Sequence, residues 1–562
     1  MSDTATPSTI IIGGGPSGIA LAYELKHKLG YTDFIIYERN DGVGGTWKTN
    51  TYPGCGCDIP SHLYSFSFNP NPNWSIELCE QPEILQYMND TVDKFELRPF
   101  FHLGIECLGG KWHEDRNEWE VFLKDHKTDM TYSRFATILI SAVGALSTPK
   151  TPNFPGMDKF RGPMVHTAQW DHSLNWEGKK VAVIGNGCSS AQAIPVMAEK
   201  AAKITQYARS RQWYLPRPNH VFTETEKWSF RWIPLLQKWL RFRIFLDADA
   251  DTKEYYSSTT GVKSRSRLER KAEAYMLSKT PKKYHSFIIP DFPLGCKRRI
   301  FDPGYLDSLN RRNVELINQG IKEFTETGLI DTAGKAADFD IIVLATGYQV
   351  TDFLQTIKIE GANGVSLAQQ WRECRGAQAY MGTYVHNFPN FGIIYGPNTF
   401  PANNSALFSC QTQVNYAVRS LIQPIVDGRA SRIEVKQSAE DRETNVIHAK
   451  LKSSVFFSGC SSWFINEHGR NVTSWPGKAE EYWRRTLAVD WGAFKLRGGT
   501  RWWALNALLR EVSPRIHAER DMVLLAVVAA FVKSRQLTQI VQPHIKWAGE
   551  MVLHNATELL HR

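Results

Sequence analysis

Thr9-Ile10-Ile11-Ile12-Gly13-Gly14-Gly15-Pro16-Ser17-Gly18 reads as a short buried strand running into a glycine-rich turn. The pattern predicts a helix over Ile19–Leu29, then a second strand, Phe34-Ile35-Ile36-Tyr37, ending in Glu38. Gly13 permits the tight turn, Gly15 lets the backbone approach a pyrophosphate, and Gly18 lets the helix lie close on the strand. The helix N-terminus offers N–H donors and positive potential to phosphates. Glu38 stands about twenty residues past the last glycine, where an acid takes ribose hydroxyls and repels a 2′-phosphate. Glycines alone would say little. Strand, glycines, helix, strand and acid in order specify a Rossmann-type unit for FAD or NAD rather than NADP.

The next stretches favour FAD. Gly42-Val43-Gly44-Gly45-Thr46-Trp47 can lie along a second part of a long cofactor. In Tyr52-Pro53-Gly54-Cys55-Gly56-Cys57-Asp58-Ile59-Pro60-Ser61 prolines and glycines flank an acid. Asp58 either faces a flavin ring or caps a turn with Ser61.

A second fingerprint follows the strand Val181–Ile184: Gly185-Asn186-Gly187-Cys188-Ser189-Ser190, with Ser190 in the third glycine's place. The following strand, Lys203–Ala208, ends in Arg209-Ser210-Arg211 rather than an acid. A guanidinium and a hydroxyl there hold a 2′-phosphate, so the second nucleotide is NADP(H). A solvated basic edge is the other reading of these arginines. Between the fingerprints lies Phe160-Arg161-Gly162-Pro163-Met164-Val165-His166-Thr167-Ala168-Gln169-Trp170-Asp171, placed to sense both nucleotides. Thr137–Gly144 and Asp340–Tyr348 share a shape, an apolar strand ending in small residues, and mark crossings between the units. Asn387–Asn398 is expected to return to the first unit.

The rest of the chain is less explicit. Trp112–Lys124 and Thr131–Ser141 read as strands with a turn at Asp125–Asp129. Over Glu224–Lys283, Trp228, Trp232, Leu235, Leu236, Trp239 and Leu240 recur at helical spacing. A lid or a membrane-surface helix would use such a stripe, but burial in a core is the expected reading. In Pro290–Arg299, Lys297, Arg298 and Arg299 are consecutive cations that repel one another unless an anion sits among them.

The 562 residues are 42% apolar and 22% charged, the composition of a globular protein, and the net charge of +9 decides nothing alone. The longest apolar run, Met522–Val532, falls short of the ~20 residues of a membrane span. Nine cysteines without a C-x-x-C argue against a zinc ribbon, a metal site or a dithiol flavin reductase, and free thiols are expected. A short polar leader before Thr9 leaves no expected signal peptide, and a cytoplasmic location follows.

Phe160-x-Gly162-x-x-x-His166-x-x-x-Trp170-Asp171 between two Rossmann fingerprints resembles the signature of Baeyer–Villiger monooxygenases. Gly44-Gly45-Thr46-Trp47, Tyr52-Pro53-Gly54 with Cys57-Asp58, and Ala345-Thr346-Gly347-Tyr348 match too. Cys460–Asn466 with Gly469-Arg470-Asn471 looks like fungal members of polyketide pathways. The resemblance implies an α/β fold of two Rossmann-like domains, for FAD and NADPH, with a helical insertion and a mostly helical C-terminal segment. The divisions expected are 1–148 and 347–500 for FAD, 149–346 for NADP with the insertion at about 222–285, and 501–562 at the C-terminus.

It further implies insertion of one oxygen atom from O2 beside a ketone carbonyl, through an oxygen adduct at flavin C4a. Arg298 matches the active-site arginine facing the flavin and Asp58 the acid that positions it, though Arg299 leaves open which arginine faces the ring. Lys297, Arg209 and Ser210 would take the NADP phosphate; His166 and Trp170 would be conformational. Cofactor contacts are implied at Gly13, Gly15, Gly18, Glu38, Gly45, Thr46, Trp47, Asp58 and Tyr64 for FAD. Gly185, Gly187, Ser189, Ser190 and Gln192 belong to the NADP side, with Thr346 and Gly347 at the crossing. The partner is a small ketone, not nucleic acid, with no transmembrane segment. An N- or S-oxygenating flavin monooxygenase is the runner-up.

Overall fold

Two five-stranded parallel sheets organise the chain, which the computed structural model describes over residues 8–498. The first has the order Phe391–Ile393, Ile138–Ser141, Thr9–Ile12, Phe34–Glu38, Phe101–Leu103. The second has the order Val314–Ile317, Lys203–Tyr207, Lys180–Ile184, Ile341–Leu344, Met164–His166. Thr9–Ile12, Ile138–Ser141 and Ile341–Leu344 are buried at every position, as parallel strands covered on both faces must be. In each sheet the fingerprint strand is central, and the chain proceeds first to one side and then to the other. The crevice at the carboxyl end of such a strand is where an open α/β sheet binds its ligand.

The fingerprint helices are Pro16–Tyr23 and Cys188–Met197. The first continues as a π-helical turn over Glu24–Leu29. A Cβ on Gly18 would press into the carbonyl oxygen of Gly13, so the helix seats as close as glycine allows. In the second unit the same place is taken by Ser190, fully buried, whose hydroxyl donates to the Gly187 carbonyl at 2.9 Å. Asn387–Asn398 does return: Phe391–Ile393 pairs with Ile138–Ser141 in the first sheet.

Three expectations are corrected. Trp112–Lys124 is not one strand but parts of two, Ile105–His113 and Glu118–Asp125, in an antiparallel ladder. The polar run Glu114–Asn117 makes the turn, and Asn117 takes a left-handed φ of 57°. The tryptophan stripe is not core. The helices Glu224–Trp232 and Pro234–Ala250 carry it at the surface, with Trp228, Trp232, Leu235 and Leu236 exposed. Finally, seven cysteines are free but Cys296 and Cys460 form a disulfide, Cα–Cα 6.3 Å. The two are 164 residues apart in the chain, so spacing could not announce the pair. The expected C-terminal segment 501–562 lies outside the described residues.

Gly18→Ala should destabilise the fold by about 2–3 kcal/mol, the usual cost of overpacking a tight contact. Denaturant unfolding measures it, and an unchanged midpoint would show that the helix does not depend on this close approach.

Candidate active site

Asp58 sits on a loop moulded by the second fingerprint helix. Gln192 of that helix donates to the Gly56 carbonyl at 2.9 Å and accepts from the Tyr52 hydroxyl at 2.7 Å. Gly54, with φ +75°, lies so close that a Cβ would meet the Gln192 carbonyl oxygen. The acid is thus delivered by one nucleotide unit and held in place by the other.

Its partner is Arg298. Nη2 and Nε of the guanidinium lie 2.7 and 2.8 Å from Asp58 Oδ2. Nη1 donates to the Ala402 carbonyl at 3.3 Å, and the Phe400 ring lies 5.5 Å away. Burial alone would weaken the guanidinium's hold on its proton; the Asp58 charge and hydrogen bond outweigh it and raise the pKa. Burial, with the Asp58 charge next, pushes the neighbouring Cys188 thiol up to about 11, so it stays neutral beside the pair.

Arg299 goes elsewhere. It bonds Glu254 at 3.2 Å and the Tyr255 hydroxyl at 3.3 Å, buried behind the pair. The strand Ile300–Asp302 starts at the next residue, and successive side chains of an extended segment leave on opposite faces. Alternation would separate the two arginines but could not say which of them faces Asp58. Glu254 and Tyr255 were not anticipated and carried no signal, being single residues in a helical insertion. Tyr255 links the two layers: its hydroxyl donates to Asn403 Oδ1 at 2.8 Å.

Three buried polar groups here lack a protein partner: Nη2 of Arg299, the Tyr395 hydroxyl and the Asn403 amide nitrogen. Tyr395 lies within electrostatic reach of Cys410, Tyr64, Arg298 and Asp58. Buried polar groups are normally paired, so their pairing to a polar ring such as a flavin is the natural completion. Tyr64 accepts from the Trp47 indole N–H at 3.0 Å. Upstream, Gly45 and Gly15 touch, a Cβ on Gly15 reaching Gly45 Cα at 3.3 Å, and the Thr46–Thr49 helix starts there. Glu38 accepts from the backbone N–H of Gly14 at 2.7 Å, which fixes the acid beside the first glycine turn.

On the second unit a Cβ built on Gly187 meets nothing within 4 Å: this turn opens onto space, where Gly185 is closed against Ala345. Lys297, buried, donates to the Ser210 hydroxyl at 2.9 Å and lies 4.8 Å from the Phe292 ring. Burial lowers its pKa, and repulsion from Arg209 lowers it further. Among the described residues neither Lys297 nor Arg209 has a carboxylate in ion-pair range, so with the Ser210 hydroxyl they have the chemistry to take a phosphate.

The segment between the fingerprints ties the connections together. His166 Nδ1 accepts from the Ala168 N–H at 3.0 Å, so Nε2 carries the proton and donates to Thr346 Oγ1 at 3.1 Å. Thr346 donates onward to the Lys150 carbonyl at 2.6 Å. Lys150 N–H and Gln349 N–H bond Gly347 and Thr148, so the two connections run as an antiparallel pair. Burial lowers the His166 pKa, against the bond to Lys150, and keeps the ring neutral. Trp170 packs in the core, edge-on to Trp176 at 5.9 Å, and His172 bonds Thr51 Oγ1 at 2.8 Å. Ser189 begins the second helix alongside Cys188.

Residues 11–81 match the family of NAD(P)-binding Rossmann-like domains. A Baeyer–Villiger monooxygenase of Streptomyces coelicolor is 34% identical over 493 residues, covering 86% of this chain and 92% of the relative. The chain belongs to the Baeyer–Villiger monooxygenase family. The FAD-binding monooxygenase ktnD of Aspergillus niger is 32% identical over 88% of this chain and 83% of its own length. The crystal structure of cyclohexanone monooxygenase from Rhodococcus sp. Phi1 bound to NADP+ superposes with a TM-score of 0.76 at 27% identity, over 88% of this chain and 99% of that one. No helix among the described residues is long and apolar enough to cross a membrane.

His166→Phe should remove both imidazole bonds and loosen the paired connections. Native-state hydrogen exchange at Lys150 and Gln349 should quicken about tenfold, the effect of losing one ordinary hydrogen bond. Unchanged exchange there would show that the pairing stands without His166.

Proposed function

We propose that this chain is an FAD- and NADPH-dependent monooxygenase that inserts one oxygen atom of O2 beside a ketone carbonyl, giving an ester or lactone. The observation that carries the reading is the half-buried Arg298–Asp58 pair, with its two bonds of 2.7 and 2.8 Å, placed between the two nucleotide units. FAD, reduced by NADPH, supplies the oxygen-activating chemistry when bound. Residues 1–148 and 347–500 form the FAD side and 149–346 the NADP side. Gly13, Gly15, Gly18, Glu38, Gly45, Thr46, Trp47 and Tyr64 hold the first cofactor; Gly185, Gly187, Ser189, Ser190 and Gln192 frame the second.

Arg298 is the catalytic residue. Attack on a carbonyl leaves negative charge on oxygen, and a guanidinium that cannot lose its proton stabilises that charge in a site screened from water. Asp58 holds the guanidinium in one orientation and tempers its charge. Arg299 is spoken for by Glu254 and Tyr255, which supports giving the role to Arg298. Lys297, Arg209 and Ser210 receive the 2′-phosphate. His166, Trp170, Thr346 and Gly347 form the joint about which the NADP side moves between reduction and oxygenation. The likeness to ktnD supports a place in secondary metabolism. An NADPH supply and seven free thiols suit the cytoplasm, where Cys296–Cys460 is the exception.

Arg298→Ala should lower ester formation by at least about 100-fold, as loss of an oxyanion donor does. Anaerobic reduction of the flavin by NADPH should continue, and Arg298→Lys should fall between. Ketone oxidation at the native rate in the alanine variant would overturn the assignment; oxidation of amines or sulfides alone by the native enzyme would give the N- or S-oxygenating reading instead. Lys297→Ala should raise KM for NADPH about 10- to 100-fold, the range for charge-assisted bonds, with little effect on NADH. Equal effects on the two nucleotides, read in steady-state assays, would remove Lys297 from the phosphate.

A further inference from the structure

The helix Pro234–Ala250 is amphipathic in the reverse sense. Its inward face, at every fourth residue, is mostly polar. Gln237 donates to the Asn71 carbonyl at 2.6 Å and Arg241 to the His62 carbonyl at 2.9 Å. Phe245 meets Phe408 at 4.7 Å, and Asp249 accepts from Asn404 at 2.8 Å and from the Ala479 N–H at 2.9 Å. Its outward face, with the end of the helix Glu224–Trp232, presents apolar side chains to solvent. Trp232 is 67% and Leu235 72% exposed, beside Trp228, Leu236 and Leu246. A soluble surface has the opposite arrangement. Such a patch marks an interaction site.

Charge identifies the partner. The twenty residues Lys227–Leu246 contain three tryptophans, five lysines and arginines and no aspartate or glutamate. Lys238 and Arg243 are exposed among the apolar residues, and Lys238 has no carboxylate in ion-pair range among the described residues. Interfaces between proteins are depleted of lysine at their centre. Anionic lipid headgroups over an apolar acyl layer match a face of tryptophan and leucine that carries the unpaired Lys238 and the exposed Arg243. The ion pair of Arg243, to Asp247 at 3.8 Å, lies at the surface. The helix of 17 residues is about 25 Å long, enough to lie in the plane of a headgroup layer. We infer that this helix pair seats the protein peripherally on an anionic lipid surface, through Trp232, Leu235 and their neighbours, without spanning it.

Flotation of the full-length holoprotein with vesicles tests this. The native protein should float with phosphatidylcholine–phosphatidylserine vesicles, and much less with phosphatidylcholine alone or in high salt. Trp232→Ser with Leu235→Ser, and separately Lys238→Glu with Arg243→Glu, should each lower the bound fraction about tenfold, with flavin content and NADPH oxidation unchanged. The inference fails if the native protein floats with neither vesicle, or if both variants float like it. It fails too if the serine variant only converts a dimer to a monomer in sedimentation, which would make the patch an interface between copies of this chain.

Discussion

The ion pair between Arg298 and Asp58 is the constraint on which the site rests. Its two members come from segments 240 residues apart, one on a loop of the first nucleotide unit, the other just before the strand Ile300–Asp302. Removing one partner leaves the other's half-buried charge without compensation, at a cost below the about 3–5 kcal/mol of a fully buried pair. Both units must therefore stay in register for the pair to survive. The contacts around it serve that register. Gln192 shapes the loop that carries Asp58, and the Ala402 carbonyl with the Phe400 ring fixes the other side of the guanidinium.

The connections between the two sheets are tied by a different kind of interaction. His166, Thr346 and Lys150 form one relay of hydrogen bonds between strands and connections. Each link is made by a neutral group, an imidazole, a hydroxyl or a backbone carbonyl, so no ion is held in that part of the interior. A relay of neutral groups rearranges at less cost than a desolvated ion pair, so the two sets of contacts differ in stiffness.

Much of this was legible in the residues. Both sheets followed from Thr9–Gly18 and Val181–Ser190, because glycine placement and apolar strands encode close backbone approach locally. Lys297 and Ser210 were each read as facing one phosphate, Ser210 from the end of its strand and Lys297 from the cation run and the family resemblance, and the structure brings them together. The failures have equally physical causes. The Cys296–Cys460 bond and the Arg299–Glu254 pair join distant segments, and no local pattern encodes a long-range contact. The tryptophan stripe misled because helical spacing gives which residues share a face, not which way that face turns. The polar stripe at Gln237, Arg241 and Asp249 held the answer, since it is the polar side chains that find partners within the protein.

The antiparallel pairing of the two connections has a topological consequence. The chain leaves the first sheet after Ser141 and comes back past Tyr348, and the two passages lie side by side, bridged between Pro149 and Tyr348. Everything between them forms a loop whose ends meet. A unit with adjacent ends can be added to or taken from a host without breaking the host's strand order. That geometry lets the second sheet sit within the chain of the first without interrupting the strand order of the first.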